Sequence, residues 1–312
     1  MSPRRPLAIL LMGPTAAGKT DLAIELHERL DCELISMDSA MVYRGMDIGS
    51  AKPSSEELAR APHRLIDIRD PAEPYSAADF REDARREMRR ITAAGRTPLL
   101  VGGTMMYAKR LLEGVANLPA ADPAIRAELA RQLERSGLAG LHAELARVDP
   151  EAARRIHPND PQRLMRALEV YRASGTTLTE LWRRQRPETF PWEVLSIGFT
   201  PFDRRVLHER IGARFEIMLA AGLIAEVEAL KARDDLHLGL PSMKSVGYRQ
   251  AWEYLDGRGD LEQLRQRTVV ATRQLAKRQL TWLRSWTALH WVDSQSRQAL
   301  DTVLKFVRES GS

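Results

Sequence analysis

The chain has 312 residues, 44% hydrophobic and 29% charged, with a formal net charge of +5. That length exceeds one ordinary domain of about 100–200 residues, so a globular core domain with a second unit is expected, and the mild basicity favours a polyanionic partner without requiring one. A single cysteine, Cys32, excludes an intramolecular disulfide and a cysteine-rich zinc site and suits a reducing, cytoplasmic setting, and no run approaches the roughly 18 apolar residues of a membrane span.

Arg4 and Arg5 precede the apolar run Leu7–Met12. The run falls short of the about 7–15 apolar residues of a secretion signal, and a glycine-rich turn follows it, so a buried first strand is expected. A helix pattern begins near Lys19. Glu33–Met37, Arg64–Ile68 and Pro98–Val101 read as further strands, and Ala77–Ala94 as a charged amphipathic helix. This alternation predicts a parallel sheet with helices on its faces.

From Asp122 the pattern changes. Ala124–Leu133, Leu138–Val148, Pro150–Ile156 and Pro161–Ser174 read as helices with no strand between them. Val194–Phe199 returns as a strand. Helices over Arg204–Ala221, Leu223–Arg233, Ser245–Leu255 and Leu261–Trp286 follow, and Leu289–Val292 closes as a short strand. The division expected is a first core part over 1–118, an inserted helical domain over 119–193 and a second, largely helical core part over 194–312.

Gly13-Pro14-Thr15-Ala16-Ala17-Gly18-Lys19-Thr20 matches G-x-x-x-x-G-K-T between a strand and a helix, the context that gives the motif its meaning. Gly13 and Gly18 let the backbone wrap with its N–H groups inward, and the following helix adds the positive end of its dipole. Lys19 supplies a point charge and the Thr20 hydroxyl can hold magnesium. The fold class is therefore α/β, a P-loop sheet like that of nucleotide kinases, with an inserted helical domain. The motif does not choose among phosphates. It suits a nucleoside triphosphate and equally a diphosphate that departs as a leaving group.

Asp38 ends the second strand, on the edge of the sheet where ligands bind. It can cap a turn, hold a metal or act as a general base. Arg214 can place a second cation at the phosphates or lie solvated on its helix, with Arg210 one turn away. The helix Leu261–Trp286 carries Arg265, Arg267, Arg273, Lys277, Arg278 and Arg284 against Glu262 alone, which reads as a phosphate-tracking face. Trp182, Trp252, Trp282, Trp286 and Trp291 read as core. The seven histidines show no i, i+4 pair and are taken as structural.

Beyond the P-loop stand Asp38-Ser39-Ala40-Met41-Val42-Tyr43, Asp47-Ile48-Gly49-Ser50-Ala51-Lys52-Pro53, Gly102-Gly103-Thr104-Met105-Met106-Tyr107, His157-Pro158-Asn159-Asp160-Pro161-Gln162-Arg163, Ser245-Val246-Gly247-Tyr248-Arg249-Gln250 and Lys277-Arg278-Gln279-Leu280-Thr281-Trp282. In this order the series closely resembles the bacterial tRNA dimethylallyltransferases, from the first strand to near the C-terminus. The resemblance implies transfer of the five-carbon group of dimethylallyl diphosphate to N6 of adenine 37 in the tRNA anticodon stem-loop. It implies a monomer, beside the magnesium expected at the P-loop and the absence of a membrane span. It makes Asp38 the base, Thr104 a hydroxyl on the diphosphate and Gly13–Thr20 the diphosphate cradle. It places tRNA contacts at Asp38, Ser39, Ala40 and Met41, at Arg126, and at Gln162, Arg163, Leu164, Met165 and Arg166. Further contacts fall at Lys244, Ser245, Val246, Gly247, Tyr248 and Arg249, and at Lys277, Arg278, Gln279, Leu280, Thr281, Trp282, Leu283 and Arg284. Three positions depart from the family: Met41 stands for a glutamine, Ala17 for a serine and Arg64 for a second histidine.

Three rivals remain at this point. A small-molecule P-loop kinase would use Asp38 or Asp67 to place magnesium. An adenylate isopentenyltransferase would act on free nucleotide, but would need no basic helix or insertion. A tRNA-binding module with a vestigial P-loop would not need Lys19, Thr20 and Asp38.

Overall fold

The structure is a computed structural model describing residues 5–114, 118–120, 122–184 and 189–311, so Arg4 of the N-terminal basic pair lies outside the described residues. The strands are β1 (Leu7–Met12), β2 (Cys32–Ser36), β3 (His63–Arg64), β4 (Thr97–Gly102), β5 (Glu193–Thr200) and β6 (Leu289–Asp293). They form one six-stranded sheet in the order β3-β2-β4-β1-β5-β6. Every pair is parallel. The apolar run of β1 has no polar face because both of its faces are covered. Ala8, Leu10 and Met12 join the core on one side, and Ile9 and Leu11 the core on the other.

The helices are α1 (Lys19–Arg29), α2 (Ser55–Arg60), α3 (Ala77–Ala93), α4 (Met105–Glu113), α5 (Pro123–Val148), α6 (Pro150–Arg155), α7 (Pro161–Ser174), α8 (Leu178–Arg184), α9 (Arg204–Ala220), α10 (Leu223–Lys231), α11 (Tyr248–Leu255), α12 (Leu261–Arg284) and α13 (Ala299–Gly311). On one face α3 contributes Phe80, Ala84, Met88 and Ile91. On the other, Leu22, Ala23 and Leu26 of α1 meet Ala299, Val303 and Leu304 of α13.

The strand expected over Arg64–Ile68 is shorter and earlier. Leu65 and Asp67 take φ of 65° and 56°, a left-handed conformation no strand accommodates. The chain instead returns along Met41–Arg44, where Asp67 and Ile68 donate their N–H groups to the carbonyls of Met41 and Val42 at 3.2 and 2.9 Å. The helix expected from Ser245 begins at Tyr248, because Gly247 has φ 96°. Four helices were not anticipated. α2 has no buried residue and is set by a capping box between Ser54 and Glu57. α4 and α13 carry buried apolar residues at helical spacing, and α8 packs buried Leu178 beside the partly buried Leu181 and Trp182, patterns that pass for loop in the sequence.

The chain divides into two compact units, Met1–Leu112 with Phe190–Ser312, and Glu113–Thr189. The second is helical among its described residues. Three of its helices open on Asp-Pro: Asp122, Asp149 and Asp160 cap α5, α6 and α7, with proline at the first helical turn. α5 breaks at Gly137, φ 66°, between the two helical stretches expected there. Leu129, Leu141, Leu145, Leu164 and Leu168 form its core. Among the described residues no helix is long and apolar enough to cross a membrane.

Candidate active site

The carboxyl ends of β1, β2 and β4 open onto a cavity of about 790 Å³. Its walls include the P-loop, Asp38–Met41, Gly49–Pro53, Gly102–Met106 and parts of α9 and α12. The P-loop follows β1. A Cβ on Gly13 would sit 2.1 Å from the Phe199 carbonyl oxygen, so only glycine fits beneath β5. Gly18 has φ 89°, and Ala16 adopts φ 63°, a conformation glycine reaches without strain. The Ala17 N–H closes the turn on the Pro14 carbonyl at 3.3 Å.

Lys19 heads α1, and its ammonium donates to the Pro14 carbonyl at 2.8 Å. Burial, then the Arg214 charge, lower its pKa to about 8 against a weaker pull from Asp38. Burial likewise lowers the pKa of Arg214, opposed by Asp38 and Asp21. Two cations therefore share the cavity with neither held in an ion pair among the described residues. Desolvated like charges of this kind are suited to an incoming anion. Arg210 differs. It donates to the Ala17 carbonyl at 3.3 Å and to the Ser294 hydroxyl at 3.2 Å, bracing the P-loop, and it does not line the cavity.

Asp38 follows β2 by two residues. Its Oδ1 accepts from the Ala40 N–H at 2.8 Å and the Met41 N–H at 3.4 Å. Oδ2 has no protein partner among the described residues. The turn-capping role and a chemical role are thus divided between the two oxygens of one carboxylate. The Thr104 hydroxyl accepts from the Ser39 N–H at 3.1 Å and lies 3.4 Å from the Ser39 hydroxyl. A Cβ on Gly102 would meet the Met37 carbonyl oxygen at 2.0 Å, so glycine permits the ends of β2 and β4 to approach. Met41 lines the cavity and lies within 3.9 Å of the Ser36 hydroxyl through its sulfur.

Residues 41–286 match the model of a protein family described as IPP transferase. The chain belongs to that family. It is 64% identical over 312 residues, the full length of both chains, to the tRNA dimethylallyltransferase of Chromohalobacter salexigens. The full-length tRNA isopentenylpyrophosphate transferase of Bacillus halodurans superposes with a TM-score of 0.72 at 37% identity, over 98% of this chain and 97% of that one. The tRNA delta(2)-isopentenylpyrophosphate transferase of Staphylococcus epidermidis gives 0.69 at 34%, over 98% and 100%. The P-loop and Asp38 precede the stretch matched by the family model. The full-length relatives span both.

Within this family member the expected RNA-facing residues separate by burial. On α12, Arg273, Lys277, Arg278 and Arg284 are exposed and form no ion pair among the described residues. Arg265 is engaged by Glu216 and Arg267 by the Arg258 carbonyl, so the helix is less one-sided than its sequence reads. Leu280 and Leu283 face the core and cannot touch RNA through their side chains. Gln279 is also committed. Its amide nitrogen donates to the Gly103 carbonyl at 2.8 Å, and its oxygen accepts from the Thr15 N–H at 2.9 Å. It bridges the P-loop to the end of β4 instead of reaching outward. Trp282, expected in the core, is 38% exposed on the cavity wall with the Lys109 ammonium 5.7 Å from its ring centre. Trp291 is exposed to the same degree.

Lys244 is exposed at the cavity, and Ser245, Val246 and Gly247 line it. Tyr248 is fully buried and donates its hydroxyl to Glu226, and Arg249 is drawn to Glu253. In the helical unit Gln162 and Arg163 are exposed, whereas Leu164 is buried in that unit's core. Arg126 and Arg166 both bind the buried carboxylate of Glu169.

Arg64, one of the departures from the family pattern, pairs with Glu33 at 2.5 Å and Glu87 at 3.2 Å. It ties β2 and β3 to α3 and leaves the cavity to His63. Asp67, the second carboxylate a kinase would need, is held by Lys52 at 2.5 Å and does not line the cavity. Among the described residues no group of three or more histidine, cysteine or acidic side chains is placed to hold a metal.

Proposed function

We propose that the protein transfers the dimethylallyl group of dimethylallyl diphosphate to N6 of adenine 37 in the tRNA anticodon stem-loop, releasing diphosphate. One observation carries the reading: a single cavity holds two cations without ion pairs beside the P-loop and, within electrostatic reach of both, a carboxylate with one oxygen free of protein partners among the described residues.

The cations and the carboxylate answer the two needs of the reaction. As the C1–O bond of the donor breaks, negative charge grows on the diphosphate. Lys19 and Arg214 are suited to receive it without reorganising. Adenine N6 is a poor nucleophile while its lone pair is delocalised into the ring. It strengthens as it loses a proton, and Asp38 Oδ2 can accept that proton while the N6–C1 bond forms. The Ala40 and Met41 N–H groups on Oδ1 hold the carboxylate in place.

Magnesium suits the Thr20 end of the P-loop. Thr20 lines the cavity, and a P-loop ion takes its remaining ligands from the diphosphate and water rather than from a protein cage. Such an ion would supply further charge neutralisation to the leaving diphosphate.

Adenine 37 must leave its stack to reach Asp38, which requires a grip on the surrounding loop. Lys244 and the exposed cations of α12 that form no ion pair among the described residues supply phosphate contacts beside the cavity. Gln162 and Arg163 add exposed polar groups on the helical unit.

The test is to incubate the protein with labelled dimethylallyl diphosphate, magnesium and total tRNA, then digest the RNA and locate the label. Label at adenosine 37 is expected. Label on free AMP with none on RNA would favour the free-nucleotide reaction instead.

A further inference from the structure

Glu226, on α10, grips a segment 177 to 179 residues away in sequence. Its Oε2 accepts from the backbone N–H groups of Asp47 at 3.0 Å and Ile48 at 2.7 Å. Its Oε1 accepts from the Gly49 N–H at 3.1 Å and the Tyr248 hydroxyl at 2.6 Å. Successive N–H groups converging on one anion make a nest of the kind that binds phosphate. Here the anion belongs to the protein. Gly49 is the residue that lets the segment close: a Cβ there would lie 2.6 Å from the Tyr248 ring and 2.9 Å from Leu223.

A second tie fastens the far end of this strap. The Lys52 ammonium donates to the Tyr43 carbonyl at 3.0 Å and pairs with Asp67 at 2.5 Å and with Asp47. Gly49, Ser50, Ala51, Lys52 and Pro53 of this segment line the reaction cavity. The link from Lys52 to Tyr43 joins the strap to the stretch that begins at Asp38.

We infer that Glu226 is a positioning residue for the acceptor side of the cavity: it clasps the strap Asp47–Pro53 and, through Lys52 and Tyr43, steadies the stretch carrying Asp38. The assignment deepens the proposed transfer reaction and rests on it. The strap lies between β2 and β3, whereas the P-loop follows β1, and β4 stands between β1 and β2. The one ammonium on the strap is consumed by two carboxylates, so the strap offers no free cation to a diphosphate. The clasp therefore governs transfer to RNA and leaves donor binding alone. Burial and the Glu226 carboxylate raise the Tyr248 pKa, so the phenol stays protonated and keeps donating.

Glu226→Gln retains the shape but places an NH2 group, which cannot accept, where one carboxylate oxygen accepted. Tyr248→Phe removes one donor and is the milder variant. Glu226→Gln is expected to lower kcat about tenfold to a hundredfold, the scale of a small misplacement at a reacting centre. The Kd for dimethylallyl diphosphate should stay within about twofold, because its cradle keeps its hydrogen bonds. Backbone hydrogen exchange over residues 47–53 should quicken, while that over 13–20 does not change. Tyr248→Phe should move kcat and exchange in the same direction by less. Parent-like kcat together with parent-like exchange in Glu226→Gln overturns the clasp. So does a donor Kd that weakens as much as kcat falls, because the effect would then be a general loosening of the cavity. Exchange is read without turnover. A parent protein that fails to prenylate RNA thus refutes the reaction, while exchange over 47–53 still decides the clasp.

Discussion

The cavity and the helical unit treat their cations in opposite ways. In the helical unit Arg126 and Arg166 close on the buried carboxylate of Glu169, and Arg172 closes on Glu144. Burial works against the charge on Glu169, yet its hydrogen bonds to Arg166 and Arg126 hold its pKa below the usual carboxylate value. Those guanidinium groups are neutralised where they stand, and they hold helices together. In the cavity Lys19 and Arg214 have no such partner, and burial lowers the pKa of both. Removing one partner of an ion pair within the fold costs stability by leaving the other charge uncompensated. A desolvated cation without a counter-charge costs stability and is available to a ligand.

The largest effect that could break this contrast belongs to Asp38. Asp38→Ala should lower prenyl transfer by about 10²–10⁴, the range for losing a general base, while RNA affinity is retained. Near-parent turnover would remove the base assignment.

Next come the cations. Lys19→Ala and Arg214→Ala should each weaken dimethylallyl diphosphate binding by roughly 10- to 100-fold, as for lost charge-assisted hydrogen bonds, with RNA binding intact. Calorimetric titration of the donor checks this, and unchanged affinity in both variants would make the two cations bystanders.

Glu169→Ala supplies the opposite pole. It leaves two guanidinium groups unpaired, but both are partly exposed, so a loss of about 1–3 kcal/mol from the stability of the helical unit is expected, below the figure for a fully buried pair. Thermal unfolding measures it. A fall in donor affinity without a fall in stability would contradict the contrast.

A smaller effect follows from pH. Lys19 is charged below about 8 in the free protein and loses its proton as pH rises through that value. Donor affinity should therefore decline by up to about tenfold between pH 7 and pH 9, and the decline should vanish in Lys19→Ala. The same depressed value means that Lys19 costs the fold least at high pH, because the unfolded chain binds the proton more tightly.

The smallest effect is expected at Met41. Met41→Gln should stay near parent activity, since the side chain is of similar length. Met41→Ala should lose activity modestly through packing. Acceptance of a guanosine-37 substrate by Met41→Ala would make Met41 a discriminating residue.

How much of this was legible in the sequence depends on whether a feature is local. The P-loop lies within eight consecutive residues flanked by a strand and a helix, and the three Asp-Pro helix starts are equally local. The parallel sheet follows from apolar runs alternating with helices. The end of β3 is different. Leu65 and Asp67 turn left-handed because the chain pairs with Met41–Arg44, and neither residue signals that by type. Gln279 is 264 residues from Thr15, and Glu226 is 177 to 179 residues from the strap residues it holds. No periodicity links such partners. A glutamine or glutamate on an amphipathic helix reads as solvated surface until the fold brings the backbone to it. Arg64 is the same case, a departure from a pattern that becomes intelligible only beside Glu33 and Glu87.

The most direct test gives the protein two labelled compounds at once: ATP labelled at its γ-phosphate and dimethylallyl diphosphate labelled in its prenyl group, with magnesium and an anticodon stem-loop bearing adenine 37. The prenyl label should enter the RNA with an equal quantity of diphosphate released, the γ-label should stay on ATP, and Asp38→Ala should lower the incorporation by about 10²–10⁴. Transfer of the γ-phosphate with no prenyl label in the RNA would show that the cavity's unpaired cations serve a kinase.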